Sequence, residues 1–194
     1  MVDQNERSRQ TPSDHELYLA FLKGDNSSFD ELMIRYGDSL TYYLAGKLGN
    51  IEEAEDMMIE AFARIMVKKP KIGEGNFKAY LYKTARHLVS HFHMKRSRYQ
   101  VFSLDDMDLD PEGGTTPDHT VIDEERRKIL NACMDRIDPD MKEALWLYYF
   151  EDLSYDEISS VMNINRKKAD NLLSRGKQRL RIELEKEGIY NAHI

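Results

Sequence analysis

The 194-residue sequence has one cysteine, Cys133, and one tryptophan, Trp146. A single cysteine excludes an intrachain disulfide, and the apolar helical spacing around Cys133 predicts a buried, inert thiol. The sequence lacks an apolar run of about 18 residues and an apolar N-terminus behind a positive start, so we expect a cytosolic protein without membrane insertion. Alternating apolar and polar segments are also missing, which excludes a β-rich fold and predicts an all-α one.

Sequence motifs of common catalytic sites are missing as well. The chain has no His-Glu-x-x-His and no Gly-x-x-x-x-Gly-Lys-Ser/Thr sequence. His87 and His91 lie four residues apart, with His93 nearby, a spacing that fits a metal site. Their neighbours are cationic, however, and Glu60 and Cys133 are remote in sequence. We therefore predict no enzymatic activity, no metal and no cofactor.

The charges are unevenly distributed along the chain. With 28 Lys and Arg against 35 Asp and Glu, the net charge is −7, which argues against indiscriminate coating of nucleic acid. Residues 68–98 nevertheless hold nine cations and one acid, while residues 103–125 hold nine acids and no Lys or Arg. A second basic block, residues 165–181, has seven cations and one acid. This pattern predicts two nucleic-acid contacts separated by an acidic segment.

The second basic block belongs to a predicted helix-turn-helix. Ser154 and Glu157 form a capping box at the start of one helix. Asn163 provides a residue that tolerates positive φ in the turn, and Asn165 can cap the following helix. Ala169 is small enough for the two helices to cross closely. A basic helix is often only a solvated surface, but together these features favour DNA binding.

Four helices are predicted in the N-terminal half. Ser13 with Glu16, Ser27 with Asp30 and Asn50 with Glu53 mark three helix starts. Asn76 marks a fourth, whose outer faces interleave cations with Tyr80 and Tyr82. Such a surface suits single-stranded nucleic acid, because aromatic rings stack on bases while cations follow the backbone. The alternative is that the tyrosines pack in the core and the cations are solvated.

We predict two small helical domains, residues 13–98 and 122–187. A flexible acidic linker spans 99–121, a disordered tail spans 1–12, and a second tail spans 188–194.

This order of parts resembles the extracytoplasmic-function (ECF) group of bacterial RNA polymerase sigma factors. Residues 53–62, Glu-Ala-Glu-Asp-Met-Met-Ile-Glu-Ala-Phe, are similar to the family's Asp-Ala-Glu-Asp-Leu-Val-Gln-Glu-Val-Phe. Residues 77–87 are similar to its Phe-x-x-Trp-Leu-Tyr-x-Ile-Ala-x-Asn segment, with Tyr80 at the Trp and His87 at the Asn. Residues 153–158, Leu-Ser-Tyr-Asp-Glu-Ile, resemble its Leu-Ser-Tyr-Glu-Glu-Ile. The recognition helix departs from the family pattern at Lys168, Ala169 and Leu172.

The resemblance implies a sigma region 2 helical bundle followed by a sigma region 4 helix-turn-helix. It implies a factor that binds core RNA polymerase and directs initiation at promoters, melting the minus-10 element and recognising the minus-35 element. The clamp helices of the largest polymerase subunit and the flap of the second largest would be its partners, together with promoter DNA. The implied polymerase contacts are Glu53, Glu55, Asp56, Met57, Glu60 and Phe62.

The same resemblance implies two sets of DNA contacts. The minus-10 set is Lys78, Tyr80, Tyr82, Lys83, Arg86, His87, Ser90, His91, Lys95, Arg96 and Arg98. The minus-35 set is Arg166, Lys167, Lys168, Asp170, Asn171, Ser174, Arg175, Lys177 and Arg179. The acidic linker would run through the polymerase's RNA exit region.

One alternative is a stand-alone helix-turn-helix regulator whose N-terminal domain senses a ligand or dimerises. A further interpretation, compatible with the sigma factor, has an anti-sigma partner holding the two domains together.

Overall fold

The computed structural model describes residues 11–102 and 121–190, with side chains for 11–97 and 128–190. These residues form helices and connecting turns without a strand, which confirms the predicted all-α class. The helices are α1 (Asp14–Leu22), α2 (Asn26–Leu48), α3 (Ile51–Lys68), α4 (Phe77–Phe102), α5 (Val121–Asp135), α6 (Pro139–Tyr149), α7 (Tyr155–Met162) and α8 (Arg166–Lys186). Among these residues, none of the helices combines the length with the apolar composition that a membrane span requires.

Local capping chemistry sets the bounds of the N-terminal helices. Ser13 and Glu16 form the predicted capping box of α1, and Asn50 Oδ1 accepts from the Glu53 N–H at the start of α3. The predicted start of α2 at Ser27 is wrong. Asp25 caps that helix instead, because its carboxylate accepts from both the backbone N–H and the hydroxyl of Ser27, so the helix begins at Asn26.

Helices α1 to α4 form the N-terminal domain around an aromatic core. Phe29 lies at its centre, with Phe21 at 4.5 Å and Phe62 edge-on at 5.9 Å between ring centroids. Phe77, the first residue of α4, packs on Tyr18 at 5.4 Å. This packing holds the start of α4 against α1 and therefore determines which side of α4 is exposed.

Helices α5 to α8 form the C-terminal domain. Asp138 caps α6 ahead of Pro139, and Ser154 with Glu157 forms the predicted capping box of α7. Asn163 adopts the predicted left-handed conformation, with φ of 54°, and Asn165 caps α8. The helix-turn-helix therefore forms where the sequence predicts it.

The two domains pack directly on each other, with α4 against α7. Side chains of α2 and α4 reach Glu143 on α6 and Glu151 in the loop before α7. The sequence did not predict this docking. Helix α4 continues past the predicted domain end at residue 98 to Phe102, and the central part of the predicted acidic linker, residues 103–120, lies outside the described residues.

Candidate nucleic-acid interface

The first candidate surface is the outer side of α8. Ala169 and Leu173 are fully buried and hold the helix against the domain core. The opposite side is solvent-exposed from the first turn onward, because the inward residues follow helical spacing. The predicted minus-35 residues that lie exposed there are Arg166, Lys167, Lys168, Asp170, Asn171, Ser174, Arg175 and Arg179.

Two of the predicted minus-35 cations have partners within the domain. Arg166 forms an ion pair with Asp156 of α7 and lies over the ring of Tyr155. Lys177 is partly buried, with its Nζ 4.4 Å from the ring centroid of Tyr148 and 5.3 Å from that of Tyr149. Lys168 and Arg175 take no part in these contacts and lie exposed, so their charges are the more available ones.

The second candidate surface is the side of α4 that faces α3. Tyr80, Thr84 and His87 lie one turn apart along it, and Arg64 and Lys68 of α3 lie opposite. Together with Ile65 they line a cavity of about 140 Å³. Its walls thus combine an aromatic ring, a hydroxyl, an imidazole and two cations, which are groups that bind an unpaired base and its phosphate. Sequence reasoning missed Arg64, Lys68 and Thr84 because only the fold brings α3 beside α4.

Burial corrects two of the predicted contacts. Tyr82 is 0% exposed: its ring packs 5.1 Å from that of Tyr43, and its hydroxyl lies 3.0 Å from Ser39 Oγ. Phe62 is 1% exposed and packs on Phe29. Both side chains stabilise the core, so the predicted contacts of Tyr82 with DNA and of Phe62 with polymerase are wrong for this structure. An aromatic residue at helical spacing is more often core than surface, which is why the sequence pattern misled.

The other predicted minus-10 residues divide between two sides of α4. Lys78, Lys83 and Arg86 point toward the C-terminal domain. His87, Ser90, His91 and Lys95 are exposed, and Arg96 lies 3.8 Å from Glu53. Arg98 has no described side chain. Among the residues that the structure describes, no cluster of His, Cys, Asp and Glu suited to a metal ion is found.

The predicted polymerase-facing residues follow the outer side of α3. Glu55, Asp56 and Glu60 are exposed, and Met57 is half-buried. Glu60 pairs with Arg64 one turn on, at 2.7 Å. The result is an acidic helix surface beside the exposed Ile59.

Glu143 is a functional candidate that the sequence did not reveal. Its side chain is 5% exposed, and it accepts from Tyr43 Oη at 2.7 Å and Arg86 Nε at 2.9 Å, while Lys47 Nζ lies 2.9 Å from its second oxygen. Burial raises the pKa of Glu143, but Lys47, Tyr43 and Arg86 outweigh burial and leave the pKa below its ordinary value. Burial, assisted by Glu143, raises the pKa of Tyr43 well above its usual range.

Glu151 is the second such carboxylate. Its side chain is 2% exposed, and Lys78 Nζ lies 3.2 Å from Oε2 and 2.5 Å from the backbone oxygen. Trp146 Nε1 donates to Oε1 at 3.3 Å. Burial raises the pKa of Tyr82 above its usual range, and the nearby Glu151 carboxylate raises it further. Only the chain's folding brings these groups together, so sequence spacing held no signal for them.

Comparison with protein families gives two matches, in the order of the two domains. Residues 32–99 match the model for sigma-70 region 2, and residues 127–180 match the model for sigma-70 region 4.

Two individual relatives are ECF RNA polymerase sigma factors. The chain is 30% identical over 161 residues to the ECF RNA polymerase sigma factor SigE of Mycolicibacterium smegmatis, covering 82% of this chain and 62% of that protein. It is 27% identical over 156 residues to the ECF RNA polymerase sigma factor SigM of Bacillus subtilis, covering 79% of this chain and 93% of that protein. The chain thus spans less than two thirds of the SigE relative and nearly all of SigM.

Solved structures share the fold. CnrH, in complex with the cytosolic domain of CnrY, superposes with a TM-score of 0.63 at 15% identity, covering 89% of this chain and 97% of CnrH. The sigma factor RpoE of Bartonella quintana, in complex with the anti-sigma factor NepR, also gives 0.63, at 17% identity, covering 81% of this chain and 96% of RpoE.

Proposed function

We propose that this chain, which belongs to the ECF group of the sigma-70 family of RNA polymerase sigma factors, directs transcription initiation at promoters and that its two domains divide promoter recognition between them. The observation that carries the proposal is the exposed basic side of α8, which follows a turn at Asn163 in the C-terminal domain. A second basic surface on α4, in the N-terminal domain, complements it.

The C-terminal domain binds the duplex minus-35 element through α8. A helix of this diameter enters the major groove, where side chains read base edges and cations hold the phosphates. Lys168 and Arg175 contact phosphates, and Asn171 and Ser174 reach base edges. Asp170, an acceptor among cations, suits the amino group of cytosine.

The N-terminal domain binds the minus-10 element as a single strand. Tyr80 stacks on an unpaired base beside the cavity, and His87 and Thr84 offer hydrogen bonds to it. Arg64 and Lys68 lie close enough to follow the backbone of the same strand. Stacking and ion pairing offset part of the few kcal/mol lost when a base leaves the duplex, so binding energy drives promoter melting.

The remaining contacts concern protein partners. The acidic outer side of α3, with Glu55, Asp56 and Glu60, docks on the clamp helices of the largest polymerase subunit, and the C-terminal domain meets the flap of the second largest. In one of the similar solved structures, the sigma factor RpoE of Bartonella quintana is bound to the anti-sigma factor NepR. An anti-sigma partner is accordingly part of the proposal. The protein acts in the cytoplasm, where polymerase acts, and has no catalysis of its own.

The test is in vitro transcription with core polymerase of the source organism on its genomic fragments. Discrete new start sites are expected with the wild-type chain, and their loss with Tyr80→Ala and with Arg175→Ala. Lys71→Ala removes an exposed cation that belongs to neither set of predicted DNA contacts and does not line the cavity, so it serves as the control. Absence of new starts, together with tight duplex binding by the chain alone, would replace this function with that of a stand-alone regulator.

A further inference from the structure

We propose that Glu143 and Glu151 form an intramolecular latch that holds the C-terminal domain over the basic side of α4 in the free protein. Both carboxylates belong to the C-terminal domain, and both are buried against cations of the N-terminal domain, with Tyr43 also bonded to Glu143. The latch keeps the two domains together without a partner protein.

The surroundings of Glu143 are specific to a carboxylate. Tyr43 and Arg86 both bond to Oε1, and Lys47 bonds to Oε2, so each oxygen has a charged or hydroxyl donor. Tyr43 and Lys47 come from α2 and Arg86 from α4, so the site is complete before the C-terminal domain arrives. A buried charge without such partners is strongly unfavourable, which makes the position of the glutamate a determinant of docking.

Glu151 makes a second interdomain contact two turns away along α4. Lys78 Nζ donates to its backbone oxygen and lies 3.2 Å from its Oε2, while Trp146 of the C-terminal domain donates to Oε1. Lys83 adds a weaker contact at 3.5 Å to the hydroxyl of Ser160 on α7. Three cations of α4 are therefore engaged by the C-terminal domain.

The engaged cations are among those predicted to follow the minus-10 strand. A carboxylate and a phosphate both present paired anionic oxygens to Lys and Arg, so Glu143 and Glu151 hold sites that a DNA phosphate would otherwise take. This consequence rests on the proposed function of α4, whereas the latch itself does not. The interface can open, because solvation of the separated charges offsets much of the energy of a buried ion pair.

The first measurement compares the wild-type full chain with Glu143→Gln/Glu151→Gln. Small-angle scattering gives the radius of gyration, and mass spectrometry after limited lysine acetylation gives the access to Lys47 and Lys78. We expect a larger radius and at least a ~10-fold faster acetylation of these two lysines, since reaction needs the open fraction. Exposed Lys23 is the internal reference, and Asp140→Asn/Glu185→Gln removes two exposed charges from the same domain as the control.

A second variant approaches the latch from the other domain. Lys47→Ala/Arg86→Ala leaves the C-terminal domain intact and should open the chain equally. Circular dichroism shows whether each variant keeps its helices. If folded variants stay as compact as wild type, and Lys78 stays protected in Glu143→Gln/Glu151→Gln, the latch is overturned.

DNA binding is then measured separately, with a single-stranded minus-10 oligonucleotide and the glutamate double variant. Tighter binding than by wild type, by about 10-fold or more, is expected because the apparent affinity scales with the open fraction. An opened variant that binds no better would contradict masking of the DNA site. An opened variant that binds no DNA even with core polymerase would contradict the proposed function of α4 and leave the latch standing.

Discussion

Gly176 of α8 lies directly against Leu145 of α6. A Cβ at position 176 would be 3.2 Å from both Cγ and Cδ1 of Leu145, and 3.4 Å from the Cβ of Met141. Leu145 is fully buried and cannot move aside without displacing the core. The close approach of these helices therefore depends on a residue without a side chain.

Gly176→Ala is expected to lower the free energy of unfolding by about 1 kcal/mol. Overpacking costs about 1–3 kcal/mol, and the higher helix propensity of alanine returns up to about 1 kcal/mol. Gly46→Ala in α2 is the matched control, because no atom lies within 4 Å of its added Cβ. It should stabilise by about 0.5–1 kcal/mol. Urea unfolding of both variants checks this, and a stabilising Gly176→Ala would show that Leu145 can adapt.

The contrast between Gly176 and Asn163 shows what the sequence can predict. A left-handed turn at Asn163 follows from local chemistry, as do the caps at Ser13, Asn50 and Ser154, because each partner lies within three residues. Gly176 carries no such signal. Its importance arises only because Leu145 of another helix packs there, and side-chain contacts across helices are not encoded in local spacing.

Lys168→Ala and Arg175→Ala should each weaken holoenzyme binding to minus-35 DNA and reduce its salt dependence. Each lost phosphate contact lowers the slope of log K against log salt by about 0.9. Lys23→Ala, an exposed cation of the N-terminal domain, should leave the slope unchanged. Fluorescence anisotropy at several salt concentrations measures it. Equal slopes for all variants would remove the basic side of α8 from the interface.

Tyr80→Leu should weaken holoenzyme binding to the single-stranded minus-10 sequence by about 1–3 kcal/mol, the usual contribution of one base stacked on an aromatic ring. Tyr80→Phe keeps the ring and should retain most of the affinity, which separates stacking from a hydroxyl contact. Filter binding with a non-template oligonucleotide gives both values. If Phe is as damaging as Leu, the hydroxyl rather than the ring makes the contact.

The lowered pKa of Glu143 predicts how the stability of the protein changes with pH. Its pKa is below the ordinary 4.5, so its contribution to stability is present above pH 4.5 and is lost as the pH falls through the lower folded pKa. The groups facing it are Tyr43 and Lys47 from α2 and Arg86 from α4.

We expect wild type to exceed Glu143→Gln in unfolding free energy by roughly 1.5–3 kcal/mol at pH 6, the range for hydrogen bonds to charged groups. The difference should shrink below pH 4.5, and chemical denaturation at a series of pH values measures it. Glu185→Gln, at an exposed position, should show no such trend. A difference that grows on acidification would mean that burial holds Glu143 neutral.

The interdomain carboxylates mark the limit of sequence reasoning for the candidate site. The basic and aromatic residues of α4 could be found from composition, since Tyr80, Lys83 and His87 stand in one helical segment. Composition could not show which of these side chains are free to contact DNA. Tyr82 is buried by Tyr43 of α2, and Arg86 is taken up by Glu143, 57 positions later in the chain.

Trp146 offers a direct optical report on the same docking, since it is the single tryptophan. Its ring stacks on Phe150 at 4.5 Å, and its Nε1 donates to Oε1 of Glu151, whose Oε2 lies 3.2 Å from Lys78 Nζ of the N-terminal domain. Glu151 therefore couples the surroundings of the indole to Lys78 across the interface.

Lys78→Ala should free Glu151 to hydrate, admit water to the indole edge and shift the emission to longer wavelength. Lys71→Ala, an exposed cation of the same domain, should leave the spectrum unchanged. Core polymerase should produce the same red shift in wild type if binding separates the domains, because Glu151 then leaves Lys78. Identical spectra for wild type and Lys78→Ala would mean that Glu151 keeps its place beside Trp146 without its partner across the interface.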